Sequence, residues 1–500
     1  MSGLQKPHVV MVPIPALGHL IPFLDLAKLL ASNGLAISYV TTPANVALLR
    51  DYLDIQALND IQLDLVALPT PAVEGLQGRE RYDLFPLESR SLIVEMVEKL
   101  QQPFNNWMEE QFHQQKVTPP VCIVRDLIIA WAEDTAQKFN VSSVLFSTCG
   151  AFAVSLLHSI SCSILQNALE KDGEDSLEVS FNLPRPVKLS KHEVSPVFLN
   201  PDLSNPHQRF ICQRFQEMGK GSGILINTFH EIETFYVQHL KNLTAKPVWA
   251  IGPVYQQNLS GGSGNVNGRG KMVSIDGQEL VCWLDSHSPR SVVYVSFGSH
   301  TILSEEQTHA LARGLEASEQ PFVWVIKMEP ASSESNTDLN STYLPEGFLE
   351  RTKERGLIIR GWAPQLVILS HISVGAFISH CGWNSVLESV CLGVPILAWS
   401  MVGDQHFNSK LFAELGVGIQ LCEHADGIPN EERVKEAVIM ALTGDKGEEM
   451  RERAEKLKET ATNAIEQKGS SAIDLRAFVT DMYKLNTRST EHREKQNRIS

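Results

Sequence analysis

The sequence predicts an α/β protein made of two doubly wound domains, each a parallel sheet covered by helices. Three observations predict it. Short continuous apolar runs alternate with helical stretches in both halves of the chain, the pattern of strands buried on both faces. A polar run rich in Gly, Asn and Ser, Gln256 to Lys271, interrupts that alternation once. The length of 500 residues exceeds the roughly 100–250 of a single domain.

The elements follow in chain order. His8–Pro13 reads as the first strand, Ala16–His19 as a turn, and Ile21–Ser32 as an amphipathic helix stopped at Asn33-Gly34. Ala36–Thr41 and Val121–Val124 read as strands, the latter followed by a helix ending near Phe139. The uncharged stretch Ser143–Leu165 is long enough to cross a bilayer, but its serines and the Thr148-Cys149-Gly150 break favour a strand feeding a buried helix. Residues 1–255 form the first domain, 256–272 the linker and 273–471 the second domain. There Val292–Phe297, Phe322–Lys327, Leu357–Gly361, Ala376–Ser379 and Ile396–Trp399 read as strands. Ser304 and Gln307 have the spacing of a capping box. Glu329–Thr342 reads as a surface loop, and the charged, helical last third frays after Leu485.

Composition narrows the function. A balance of 43 basic against 58 acidic residues, net −15, disfavours nucleic acid and anionic membranes, which reward clustered Lys and Arg. Eight scattered cysteines with no CxxC pair read as reduced thiols in the cytoplasm, and the N-terminus lacks the signature of a secretory signal. No GxGxxG, GxxxxGK[ST], GxSxG, HExxH or DxD occurs, so there is no cradle for a redox dinucleotide, no P-loop, no hydrolase elbow, no zincin helix and no metal clamp for a sugar nucleotide.

What remains sits at strand ends, where doubly wound sheets bind ligands. His19 follows the first strand and Asp126 ends another, so one crevice receives both. A carboxylate on one ring nitrogen fixes the tautomer and leaves the other as a base; a histidine starting a helix equally serves as a packing residue. His380-Cys381-Gly382-Trp383-Asn384-Ser385 forms a turn into a helix whose unpaired N–H groups suit an anion such as a diphosphate, with His380 as an added donor. The alternative for Asn384 or Ser385 is a plain N-cap. Trp362 offers a flat face to a nucleobase, Glu388 suits the two hydroxyls of a ribose, and Asp404 with Gln405 suits a polyol.

The run from Trp362 to Gln405, WAPQLVILSHISVGAFISHCGWNSVLESVCLGVPILAWSMVGDQ, resembles the 44-residue signature of the plant secondary-product UDP-dependent glycosyltransferases, family 1. GHLIP around His19, SFGS at Ser296–Ser299 and the strand ending at Asp126 extend the resemblance over essentially the whole chain. It implies the GT-B fold, two Rossmann-like domains facing across a cleft, with a final helix near 472–485 crossing back to the first domain. It implies that Trp362 and Ala363 hold uracil, Gln365 and Glu388 the ribose, Ser299, His380, Asn384 and Ser385 the diphosphate, and Trp383, Asp404 and Gln405 the sugar. Gln405 at the last position implies glucose.

The implied reaction is inverting transfer from UDP-glucose, a co-substrate, to a small lipophilic plant metabolite, with His19 as base oriented by Asp126 and no cofactor or metal. Phe85, Ile128, Thr148 and Met401 are candidates for the acceptor wall, or ordinary core residues. A non-catalytic binding protein on the same fold is the alternative. We expect a cytoplasmic monomer. Three departures from the family pattern stand out: Ser400 where proline is common, Arg125 before Asp126, and a long linker. Strand alternation directs Arg125 away from the Asp126 carboxylate.

Overall fold

The computed structural model describes residues 5–53, 61–85, 89, 91–113, 119–166, 171–172, 176–179, 183, 186–190, 193–194, 198, 201–259, 275–299, 301–327, 344–422 and 427–497. Most of the expected linker and the loop expected at 329–342 lie outside them. The linker's first residues instead continue a short helix, Val254–Leu259.

The first domain holds β1 (His8–Val12), β2 (Ala36–Thr41), β3 (Leu63–Ala67), β4 (Cys122–Arg125) and β5 (Ser142–Ser147). A small antiparallel sheet follows, β6 (Lys171–Asp172), β7 (Ser176–Val179) and β8 (Val187–Ser190), and then β9 (Gly223–Ile226) and β10 (Val248–Ala250). The main sheet is parallel in the order β10-β9-β5-β4-β1-β2-β3. Its central strands are buried at every residue, which is why they read as unbroken apolar runs.

The second domain repeats the plan with β11 (Val292–Ser296), β12 (Phe322–Ile326), β13 (Gly356–Arg360), β14 (Val374–Ser379), β15 (Ile396–Ala398) and β16 (Gly418–Gln420). These too are parallel, in the order β13-β12-β11-β14-β15-β16. The expected capping box at Ser304 and Gln307 is present in both directions, at 3.2 and 3.0 Å. Ser143–Leu165 divides as expected, with β5 and a helix, Ala151–Leu165, on either side of Gly150. Among the described residues no helix is long and apolar enough to cross a membrane.

The final helix does cross back, and it is longer than 472–485: it spans Ser470–Asn497, so the chain past Leu485 stays helical. Leu475, Phe478 and Met482 enter the first domain's core, where Phe478 meets Trp249 edge-on with centroids 5.3 Å apart. Asp474 accepts from the Ala250 amide at 2.8 Å and from His230 at 3.0 Å, so the helix is docked by polar as well as apolar contacts.

Candidate active site

Register brings the first two groups together. β1 and β4 are neighbours with Val12 opposite Arg125, so both strands end at the same level and the Asp126 amide bonds the Val12 carbonyl at 3.1 Å. The helix after β1 spans Leu17–Ser32, so His19 lies inside its first turn rather than in a turn before it. Pro22 lies in the second turn of this helix and leaves the Gly18 carbonyl without its intrahelical donor.

His19 Nδ1 meets Asp126 Oδ2 at 2.7 Å. The carboxylate is 2% exposed and the imidazole 31%, so one partner is walled in and the other opens to the cleft. Asp126 is held in turn by the backbone amides of Ile128 at 3.3 Å and Ile14 at 3.5 Å. Burial alone would lower the His19 pKa, but the charge and hydrogen bond of Asp126, with Asp404 behind it, raise it above its usual value. Arg125 points away from the carboxylate: its guanidinium donates to the Asp126 backbone carbonyl at 3.3 Å.

The four expected acceptor-wall residues fall in different places. Thr148 touches the imidazole itself, its Oγ1 3.2 Å from His19 Nδ1. Phe85 is core, 5% exposed, with the Arg79 guanidinium 5.6 Å from its ring centre. Ile128 is half-buried beside Asp126, and Met401 packs on the second domain's core that holds Phe297 and Trp399.

Across the cleft, β11 and β14 are neighbours with Ser296 opposite Ser379, so the Phe297–Ser299 turn and the His380–Gly382 turn emerge side by side. The helix Trp383–Cys391 starts at Gly382 without a side-chain cap, so neither Asn384 nor Ser385 is an N-cap. His380 is 9% exposed, and its burial depresses the pKa to about 4, leaving a neutral ring whose Nδ1 has no hydrogen-bond partner among the described residues. It fits only because its neighbours are glycine: a Cβ on Gly298 or Gly382 would lie 2.6 or 2.5 Å from its Nε2. The Ser299 carbonyl accepts from Lys327.

Gln365 joins two elements. Its Nε2 donates to Glu388 at 2.8 Å and Ser385 at 3.1 Å, and its Oε1 accepts from Tyr294 at 3.3 Å. Ala363 is buried beside the half-buried Trp362. Asp404 accepts from Asn408 at 2.9 Å and hydrogen-bonds the Cys149 thiol of the first domain; burial raises its pKa against those bonds and the nearby His19 charge. The Gln405 side-chain Oε1 is occupied by the Met401 and Val402 amides, both at 2.9 Å, leaving the side-chain Nε2 as the donor.

Two of the expected donor-site side chains bond to the first domain. The Trp383 indole N–H donates to the Asn227 carbonyl of the first domain at 2.7 Å, and the ring is 3% exposed, so that N–H is not offered to a sugar hydroxyl. The Asn384 carboxamide likewise donates across the cleft, to the Gly18 carbonyl at 2.8 Å. Sequence reasoning missed Asn227, Cys149 and Glu233, whose carboxylate caps the Ala151–Leu165 helix through the Ala151 and Phe152 amides at 2.9 and 2.7 Å. No local pattern announces contacts of that sequence separation.

The chain matches the family model for UDP-glucoronosyl and UDP-glucosyl transferase over residues 89–442. It is 37% identical over 484 residues to the scopoletin glucosyltransferase of Nicotiana tabacum, covering 95% of this chain and 98% of that one. It is 35% identical over 494 residues to the UDP-glucose flavonoid 3-O-glucosyltransferase 7 of Fragaria ananassa, covering 96% of each. Among solved structures it resembles Glycyrrhiza uralensis UGT73P12 complexed with glycyrrhetinic acid 3-O-monoglucuronide, with TM-score 0.84, 28% identity and 99% of both chains covered. It also resembles Medicago truncatula UGT71G1 complexed with UDP-glucose, with TM-score 0.77, 25% identity and 96% and 98% covered.

Proposed function

Because the chain belongs to the plant family 1 UDP-glycosyltransferases and has their GT-B fold, we propose that it is an inverting glucosyltransferase acting from UDP-glucose on a hydroxyl of a small plant phenolic or related lipophilic metabolite. The observation that carries the reading is the His19–Asp126 pair at 2.7 Å, open to the cleft and facing the uncapped helix start at Trp383.

Asp126 accepts the Nδ1 proton of His19 and leaves Nε2 as the base. Nε2 takes the proton of the acceptor hydroxyl, and the acceptor oxygen forms a bond to the anomeric carbon. The bond from that carbon to the diphosphate oxygen breaks, and its electron pair leaves with UDP. Attack opposite the leaving group gives a β-glucoside, UDP and one proton.

The negative charge of UDP is held by the backbone amides at the start of the Trp383–Cys391 helix, by neutral His380 and by the Ser299 turn, with no metal ion. Trp362 and Ala363 hold uracil, and the preformed Gln365–Glu388 pair holds the ribose. Asp404 and the Gln405 amide nitrogen hold the glucose hydroxyls, with the Trp383 and Asn384 contribution coming through backbone amides. The net charge of −15 and eight free thiols support a cytoplasmic, monomeric enzyme with no nucleic-acid partner.

The test is mass spectrometry of the purified protein with UDP-glucose and a panel of coumarins, flavonoids and terpenoid alcohols, beside His19→Ala. Hexosylated products that disappear in the variant are expected. UDP-glucose binding without any product would reduce the protein to a sugar-nucleotide binder. Products that persist in His19→Ala would remove the base.

A further inference from the structure

The helix that carries His19 contains a proline where its hydrogen-bond ladder should continue. Pro22 has no N–H, so the Gly18 carbonyl lacks the donor that an α-helix supplies four residues on. That carbonyl belongs to the residue immediately before the base. It accepts instead from Asn384 Nδ2 at 2.8 Å, a side chain of the other domain, on the helix start that faces the cleft. We propose that Pro22, Gly18 and Asn384 form an interdomain latch, in which the proline keeps one carbonyl of the catalytic helix open so that the second domain can dock on it and fix His19 over the cleft.

A latch of this kind makes Asn384 a positioning residue for the base. The carboxamide has one function per end, and its donating end is directed at the first domain. A second bond from the same turn, Trp383 Nε1 to the Asn227 carbonyl at 2.7 Å, holds the two domains together deeper in the interface. The Trp383 contact is buried packing, whereas Asn384 and Gly18 are half-buried, so the latch is the contact that can open and close with the cleft. Nothing crowds Gly18 on its open side, since a Cβ there would meet no atom within 4 Å.

The inference rests on the transferase reading but is tested apart from it. Pro22→Ala restores an N–H at position 22, which competes with Asn384 for the Gly18 carbonyl without altering any group on the donor side. It removes a proline from a helix, so the fold is retained. Wild type, Pro22→Ala, Asn384→Ala and the double variant are compared by small-angle scattering, by calorimetry with UDP-glucose, and by kcat and KM.

The expected result is a larger radius of gyration for both single variants and unchanged UDP-glucose affinity for Pro22→Ala. Losing one neutral hydrogen bond predicts a fall of about two- to tenfold in kcat for each. The double variant should match Asn384→Ala to within about twofold, because both changes break one bond. Multiplicative losses in the double variant, or a Pro22→Ala protein with wild-type scattering and kcat, would overturn the latch. Scattering and calorimetry need no turnover, so absence of glucosyl transfer would sink the activity while leaving the latch to be judged on those two readouts.

Discussion

Replacing Asp126 by Asn removes a charge while keeping the shape, and the structure fixes the consequences for His19. The wild-type imidazole is pulled in two directions: burial lowers its pKa, and the Asp126 charge and hydrogen bond raise it by more. Without the carboxylate only the more distant Asp404 opposes burial, so the pKa falls. The rising limb of kcat against pH, which follows loss of the proton from His19, must therefore move to lower pH in the variant. The rate at its plateau falls for two reasons. The lost bond is to an ionised partner, worth about 1.5–3 kcal/mol, or about 10- to 150-fold. The introduced carboxamide also donates to Nδ1, which puts the ring proton on Nε2, the atom that has to accept one.

The linkage sign gives an independent check. A histidine whose folded pKa is raised above the unfolded value of about 6.5 adds stability below that value and loses it as pH rises through the folded pKa. Asp126→Asn should thus lose more stability at pH 5 than at pH 9. The assay is a pH–rate profile with an alcohol acceptor that does not titrate in range, beside calorimetric melts at both pH values. An unshifted rising limb, or a kcat within twofold of wild type, would refute the dyad reasoning.

Further outcomes follow from the same contacts. Trp383→Phe keeps an aromatic ring but leaves the buried Asn227 carbonyl without its donor, so it should cost about 1–3 kcal/mol in thermal or urea unfolding. Gly298→Ala places a methyl 2.6 Å from the His380 ring at a φ of +71°, and should weaken UDP-glucose binding by calorimetry while His19-dependent chemistry on bound donor persists. His380, held neutral with a pKa of about 4, adds stability above the unfolded value of about 6.5 that is lost as pH falls towards 4. Calorimetric UDP-glucose affinity followed from pH 5 to 8 should accordingly show no inflection near 6.5 that originates in His380. Glu233→Ala uncaps the Ala151–Leu165 helix and should cost about 1–2 kcal/mol in the same melts.

The sheets and the dyad were legible because their signals are local. Apolar runs such as His8–Val12 and Val292–Ser296 are buried at every position, and the two strand ends carrying His19 and Asp126 needed only neighbouring strands to meet. The helix start at Leu17 was not legible, because Pro22 read as part of a helix beginning at Ile21. The orientations of Trp383 and Asn384 were out of reach for a different reason. Their partners, Asn227 and Gly18, lie 156 and 366 residues away, and the sequence contains no periodicity that reports how one domain faces the other. Thr148 is intermediate: the sequence placed it on a segment facing His19, but its 3.2 Å contact with the ring depends on the path of the loop after β5.

The returning C-terminal helix has a consequence for how the protein is made. Trp249 and its edge-on partner Phe478 belong to one core, yet the second domain is synthesised between them. At about 5–20 residues per second, the roughly 230 residues separating them delay closure of the first domain by on the order of 10–45 s. During that interval the apolar patch around Trp249 lacks its native cover of Leu475, Phe478 and Met482, although every strand of its sheet has already been made. The first domain's sheet is thus made before the second domain, but its core is completed only after the second domain has been made.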